Sequence, residues 1–179
     1  MTPPRVAFLL VAILSLPLTA CGASMQTLQG EAALGRTETG APLSAKLAMD
    51  IDAPPDAVWQ TLTGVETWAA WQPHVTKTTP PRTIAAGQPF TWTKNGSEIH
   101  STLARVVPSR ELAWSGQVAT AKAIHVWRLS ERPSGGTHLE VEETMSGFLL
   151  TAFFSQRDLE ADMRESVAAL KRAAEQRAP

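Results

Sequence analysis

Few residues of this chain have the type and spacing that chemistry requires. The four histidines are His74, His100, His125 and His138, and none stands in an H-x-x-x-H or comparable arrangement, so no metal site is expected. A single cysteine, Cys21, excludes an intramolecular disulfide and any zinc site built on cysteines. There is no G-x-S-x-G, no P-loop and no dinucleotide fingerprint, and the absence of tyrosine removes a phenolic acid. Sixteen Lys+Arg against 17 Asp+Glu give a net charge of −1, without the basic excess of a nucleic-acid binder. What remains is one combination, His125 with Glu143, and it depends on strand register.

Register can be read from the turns. Pairing Glu131 with Thr137 across Pro133-Ser134-Gly135-Gly136 sets His125 opposite Glu143 and Trp127 opposite Val141. Pairing Gln117 with Lys122 sets Trp114 opposite His125. Parity then gathers Leu112, Trp114, His125, Trp127, Leu129, Leu139, Val141, Glu143 and Met145 on one mostly apolar face, which must be the inner one. Trp114, His125 and Glu143 form a row across three strands. The opposite face carries Lys122, Arg128, Ser130, His138, Glu140 and Glu142 and suits solvent. A His and a Glu on an apolar face should be partners, because an unpaired buried charge is costly. Beside its carboxylate, His125 is expected to have a raised pKa, with burial pulling the other way. The pair is either a polar anchor for a ligand, an acid–base couple or a satisfied structural contact.

These residues need a sheet and something to press it against. At 179 residues, with 44% hydrophobic and 18% charged, the chain suits one globular domain. Ala45, Leu47, Met49 and Ile51 alternate as a strand. Two short helices follow, one opened by Pro54-Pro55 and ended by Gly64, the other from Val65 to Trp71 and stopped by Pro73. Trp59, Trp68 and Trp71 lie on these helices and are expected to plug the sheet edge and a cavity mouth. Phe90 and Trp92 alternate toward Asn95-Gly96, a strong hairpin signal, and strands follow over about 98–107, 111–118, 122–131 and 137–146. Leu159, Met163, Val167, Leu170 and Ala174 form one helical stripe. Ser155 with Asp158 resembles a capping box, and Phe154 with Leu159 stands at staple positions. The run Phe148–Phe154 either precedes this helix or forms its first turns.

The N-terminus reads as an address. Arg5 precedes the apolar run Val6–Leu18, shorter than the roughly 20 residues a spanning helix needs and suited to a signal peptide. Leu18-Thr19-Ala20-Cys21 resembles a bacterial lipobox, which implies cleavage before Cys21 and acylation of its thiol. Gly22 rather than Asp after that cysteine implies, by the enterobacterial sorting rule, the periplasmic side of the outer membrane. The organisation expected is a signal peptide over 1–20, a lipidated Cys21 with a solvated tether to residue 43, and a domain over 44–176.

The order strand, two short helices, six antiparallel strands and a long helix is that of the helix-grip fold, an α+β architecture. At I-D-A-P-P-D-A-V-W-Q-T-L-T (51–63), W-A-A-W-Q-P (68–73) and V-P-S-R-E-L-A-W-S-G (107–116) the chain resembles the START/Bet v 1-like (SRPBCC) superfamily. More narrowly it is similar to the bacterial polyketide cyclase/dehydrase and lipid-transport group. The resemblance implies a curved sheet of about seven strands wrapped around the C-terminal helix, with an apolar cavity between them. On the inner face, Phe90, Trp92, Leu112, Trp114, His125, Trp127 and Glu143 are then the expected ligand contacts. Three functions compete. The favoured one is a lipid-anchored envelope protein, expected to be monomeric and to need no cofactor, that binds a hydrophobic small molecule or lipid. The others are a cyclase/dehydrase-like enzyme with His125 as base and Glu143 as its orienter, and a non-catalytic interaction domain.

Overall fold

The structure, a computed structural model, describes residues 23–178. The expected signal peptide and Cys21 lie outside the described residues. The chain runs α1 (Met25–Ala33), β1 (Leu43–Ile51), α2 (Pro55–Thr63), a 3-10 turn (Val65–Thr67), α3 (Trp68–Trp71), β2 (Val75–Thr79) and β3 (Pro89–Lys94). It continues with β4 (Ser97–Val107), β5 (Glu111–Val118), β6 (Ala121–Glu131), β7 (Thr137–Gly147), α4 (Leu150–Phe153) and α5 (Gln156–Arg177). The seven strands make one antiparallel sheet in the order β1-β7-β6-β5-β4-β3-β2. The sheet curves around α5, and the fold is the helix grip expected from the order of its elements.

Local sequence explains most of these elements. Pro54 and Pro55 open α2, where a missing N–H costs nothing, and Asp56 sits in its first turn. Asn95 and Gly96 both take positive φ, 50° and 76°, which is what a two-residue hairpin turn demands. Ser155 caps α5 and exchanges hydrogen bonds with Asp158 in a full capping box. The predicted stripe Leu159, Met163, Val167, Leu170 and Ala174 is buried along its whole length, the last three fully. Predicted registers hold as well: His125 faces Glu143, Trp127 faces Val141 and Trp114 faces His125.

One expectation requires correction, and one open alternative is decided. The segment after Cys21 is not a solvated tether throughout: α1 lies on the outer face of the sheet. Leu28 and Ala32 pack there against Ala104, Ala113, Ile124 and Val126 in a second core. Gln29 ties the helix down, accepting from Ser115 Oγ at 2.5 Å and donating to the Leu103 carbonyl at 3.1 Å. Arg128 donates to the Gly35 carbonyl at 2.6 Å as the chain leaves. A nine-residue helix is marginal alone, so this packing is what holds it. The outer face over β4–β6 is therefore covered rather than bathed in solvent. Of the two readings of Phe148–Phe154, the structure bears out the first: the run precedes α5 and does not form its first turns. Leu149 turns left-handed at φ 61°, α4 makes one turn, and extended Phe154 separates it from the cap.

Candidate functional site

Between the inner sheet face and α5 lies a cavity of about 440 Å³, within the size range of small-molecule sites. Its walls come from the ends of β3 to β7, from α3 and α4, and from the first half of α5. Of the expected ligand contacts, Trp92, Trp114, His125, Trp127 and Glu143 line it. Phe90 and Leu112 do not. They are buried in the packed core behind Trp114, because their strand positions lie farther from the open end of the grip.

The aromatic side chains divide by their hydrogen bonds. Trp68 sits edge-on to Phe90 and Trp92, with ring centroids 5.8 and 5.5 Å away. Its indole donates to the Leu62 carbonyl at 3.1 Å, and Trp92 donates to Ser101 Oγ at 3.1 Å. These two are structural aromatics, satisfied within the protein. Trp71, Trp114 and Trp127 also line the cavity, yet their buried indole N–H groups have no acceptor among the described residues. Indole is a donor only, and each of these nitrogens is shielded from the cavity space by its own ring and neighbours, so the three donors are unpaired inside the wall and not offered to an occupant.

His125 stacks on Trp114, with centroids 4.8 Å apart, and its Nδ1 lies 3.4 Å from Glu143 Oε2. The expected rise in the His125 pKa is corrected by the structure. Burial lowers it to about 3, and the nearby Lys94 cation pushes the same way. Burial raises Glu143 to about 8, helped by the Asp162 carboxylate and opposed by Lys94. The carboxyl is thus neutral at neutral pH and offers the imidazole no negative charge. A base protonated only near pH 3 is poorly matched to proton abstraction near neutrality, which weighs against His125 as a catalytic base.

Three polar residues in the cavity were not foreseen. Lys94 Nζ, with 9% of its side chain exposed, lies 2.6 Å from Asp162 Oδ2 and 3.4 Å from Ser166 Oγ. Parity with Phe90 and Trp92 places Lys94 on the inner face, and Asp162 and Ser166 flank the apolar stripe of α5. That parity was the available signal, hidden by the turn residues beside Lys94. No group of three or more His, Cys, Asp or Glu able to hold a metal occurs among the described residues.

The coupled pair makes a measurable prediction about pH. Glu143, with its folded pKa raised from 4.5 to about 8, supplies support that is present at low pH and lost as pH climbs toward 8. His125, lowered from 6.5 to about 3, supplies support present above 6.5 and lost as pH falls toward 3. The two slopes cancel between 4.5 and 6.5, so the pair favours folding most in that window. From pH 6.5 to 8 wild type should lose about 2 kcal/mol at 1.36 kcal/mol per unit. Glu143→Gln, which cannot ionise, should not show this loss. Urea unfolding of both proteins across this range checks it, and parallel pH profiles would contradict the assignment.

A helix grip with a mostly apolar internal cavity defines a class of ligand-binding domain. Residues 42–175 match the family model described as polyketide cyclase / dehydrase and lipid transport, and the chain belongs to that family. No curated protein sequence matches the chain. Solved structures share its fold. Protein CV1439 from Chromobacterium violaceum superposes with a TM-score of 0.63 at 14% identity, covering 75% of this chain and 99% of that one. Protein MLL2253 from Mesorhizobium loti gives 0.62 at 20% identity, covering 74% and 97%. StfQ, a di-domain ARO/CYC from the steffimycin biosynthetic pathway, gives 0.62 at 15% identity, with 75% of this chain matching 52% of that one.

Proposed function

We propose that this protein is a membrane-anchored envelope protein that binds or carries a hydrophobic small molecule or lipid bearing acceptor oxygens. In this reading Cys21 is acylated and holds the domain at the periplasmic side of the outer membrane of a bacterium. The carrying observation is the cavity itself. Its wall is apolar, yet the His125–Glu143 and Lys94–Asp162 pairs are set into it. Hydrocarbon alone would leave the remaining hydrogen-bonding capacity of these side chains unmet, at a cost of about 1–3 kcal/mol for each bond not made. A carbonyl, hydroxyl or carboxyl group at one end of an otherwise apolar ligand removes that cost. Catalysis is the weaker reading, because the imidazole is stacked on Trp114 and stays neutral far below neutral pH.

Native mass spectrometry of the protein extracted from its own host tests both parts. The polypeptide mass should include acyl groups on Cys21, and a noncovalent amphiphile should be retained. His125→Ala should reduce that retention about 10-fold, equivalent to ~1.4 kcal/mol, and more than Trp127→Phe, since only the former removes a polar anchor. An unmodified Cys21 would remove the anchor, and a cavity that retains nothing from the host would remove the carrier.

A further inference from the structure

Among the described residues, three of the five exposed large apolar side chains gather at one place, the others being Leu34 and Ile84. Phe148, Leu149 and Phe153 are 73%, 55% and 86% exposed, and they fall within the link of residues 148–155 between β7 and α5. Single exposed apolar residues are ordinary, but a group of three with two phenylalanines on one turn is not. Leu149 takes a left-handed backbone, at φ 61°, that a leucine adopts only against a steric cost. That turn carries the chain into α4, whose Leu150 and Phe153 line the cavity together with Phe154. The apolar tip is therefore part of the cavity rim.

The N-terminal end of the described chain sits at this same rim. Lys122 lines the cavity and donates to the Ala23 carbonyl at 2.9 Å. Neighbouring Ala121 pairs with Gly147, and Thr120 donates to the Phe148 carbonyl at 3.1 Å. Ala23, the β5–β6 turn and the apolar tip are thus tied together by consecutive contacts. Cys21 is two residues before Ala23, so its Cα can stand no farther than about 7 Å away. An acyl anchor on Cys21 would bring this rim, rather than the opposite end of the sheet, to the lipid surface.

We propose that Phe148, Leu149 and Phe153 dock the cavity rim into a phospholipid bilayer, so that the cavity exchanges its ligand directly with the membrane. The docking rests on the exposed tip and on the anchor at Cys21. The exchange rests in addition on the carrier reading above. A tethered rim samples the bilayer at high effective concentration, so three apolar side chains suffice where they would not hold a free protein.

The test uses the mature, full-length protein in vesicles of equimolar phosphatidylethanolamine and phosphatidylglycerol. An environment-sensitive dye is attached in separate variants at Phe148→Cys, at Phe153→Cys and, as a control at the opposite end of the sheet, at Ser134→Cys. Dyes at 148 and 153 should shift to the blue and be quenched by doxyl-labelled lipid, and the dye at 134 should not. Equal behaviour at all three sites overturns the docking. So does a blue shift at 148 or 153 without vesicles, which would seat the tip on protein instead. In Phe148→Ser/Leu149→Ser, which leaves the cavity lining intact, transfer of the ligand retained from the host between vesicles should fall at least about 10-fold, with retention unchanged. Unchanged transfer would overturn the exchange. Quenched dyes on a protein that retains no ligand would leave the docking standing and remove the carrier reading.

Discussion

Leu170→Asp is expected to leave the chain unfolded in buffer without denaturant. Leu170 is fully buried on α5, in the core that this helix shares with the inner face of the sheet and with α2. Removing a buried leucine costs about 2–5 kcal/mol, and a carboxylate in its place adds the several kcal/mol of an unpaired buried charge. Domains of this size have about 5–15 kcal/mol in total, so one substitution exhausts it. Far-UV circular dichroism and a urea titration read the outcome. A cooperative transition near that of wild type would mean that α5 is not gripped by the sheet. Met163→Asp, on the same stripe, should be milder, because Met163 lines the cavity among polar groups.

Asp162→Asn is expected to be the most damaging of the changes that keep side-chain shape. It leaves the Lys94 ammonium, 9% exposed, without its anion and with only Ser166 Oγ at 3.4 Å. Breaking a buried pair from one side costs about 3–5 kcal/mol, and the 32% exposure of Asp162 places this one toward the lower end. Replacing both partners, as Lys94→Met/Asp162→Leu, should recover most of the loss, since well-packed apolar substitutes often match a buried pair. The double variant should also widen the apolar wall of the cavity and weaken binding of a ligand held by its oxygens. Denaturation of the two single variants and the double completes the cycle. Additive losses would show that Lys94 and Asp162 do not interact across the cavity.

Much of what short-range rules control was legible in the chain. Period-2 alternation and two turns were enough to set His125 against Glu143 and Trp114, because a slip of one residue would throw every inward side chain outward. The capping box at Ser155 and the stripe of α5 are local in the same sense, as is the Asn95-Gly96 turn. Tertiary structure decided the rest, because it depends on which distant surfaces meet. Helix α1 offers buried Leu28 and Ala32 and partly buried Met25 to the sheet, too short a run in a polar segment to stand out as a period, and it holds because Ala113, Ile124 and Val126 wait under it. Lys94, Asp162 and Ser166 converge from β3 and α5, elements with no common local pattern. The protonation of the central pair follows from depth. Burial moves His125 down and Glu143 up, against the expectation drawn from their adjacency alone, and only the closed grip supplies that burial.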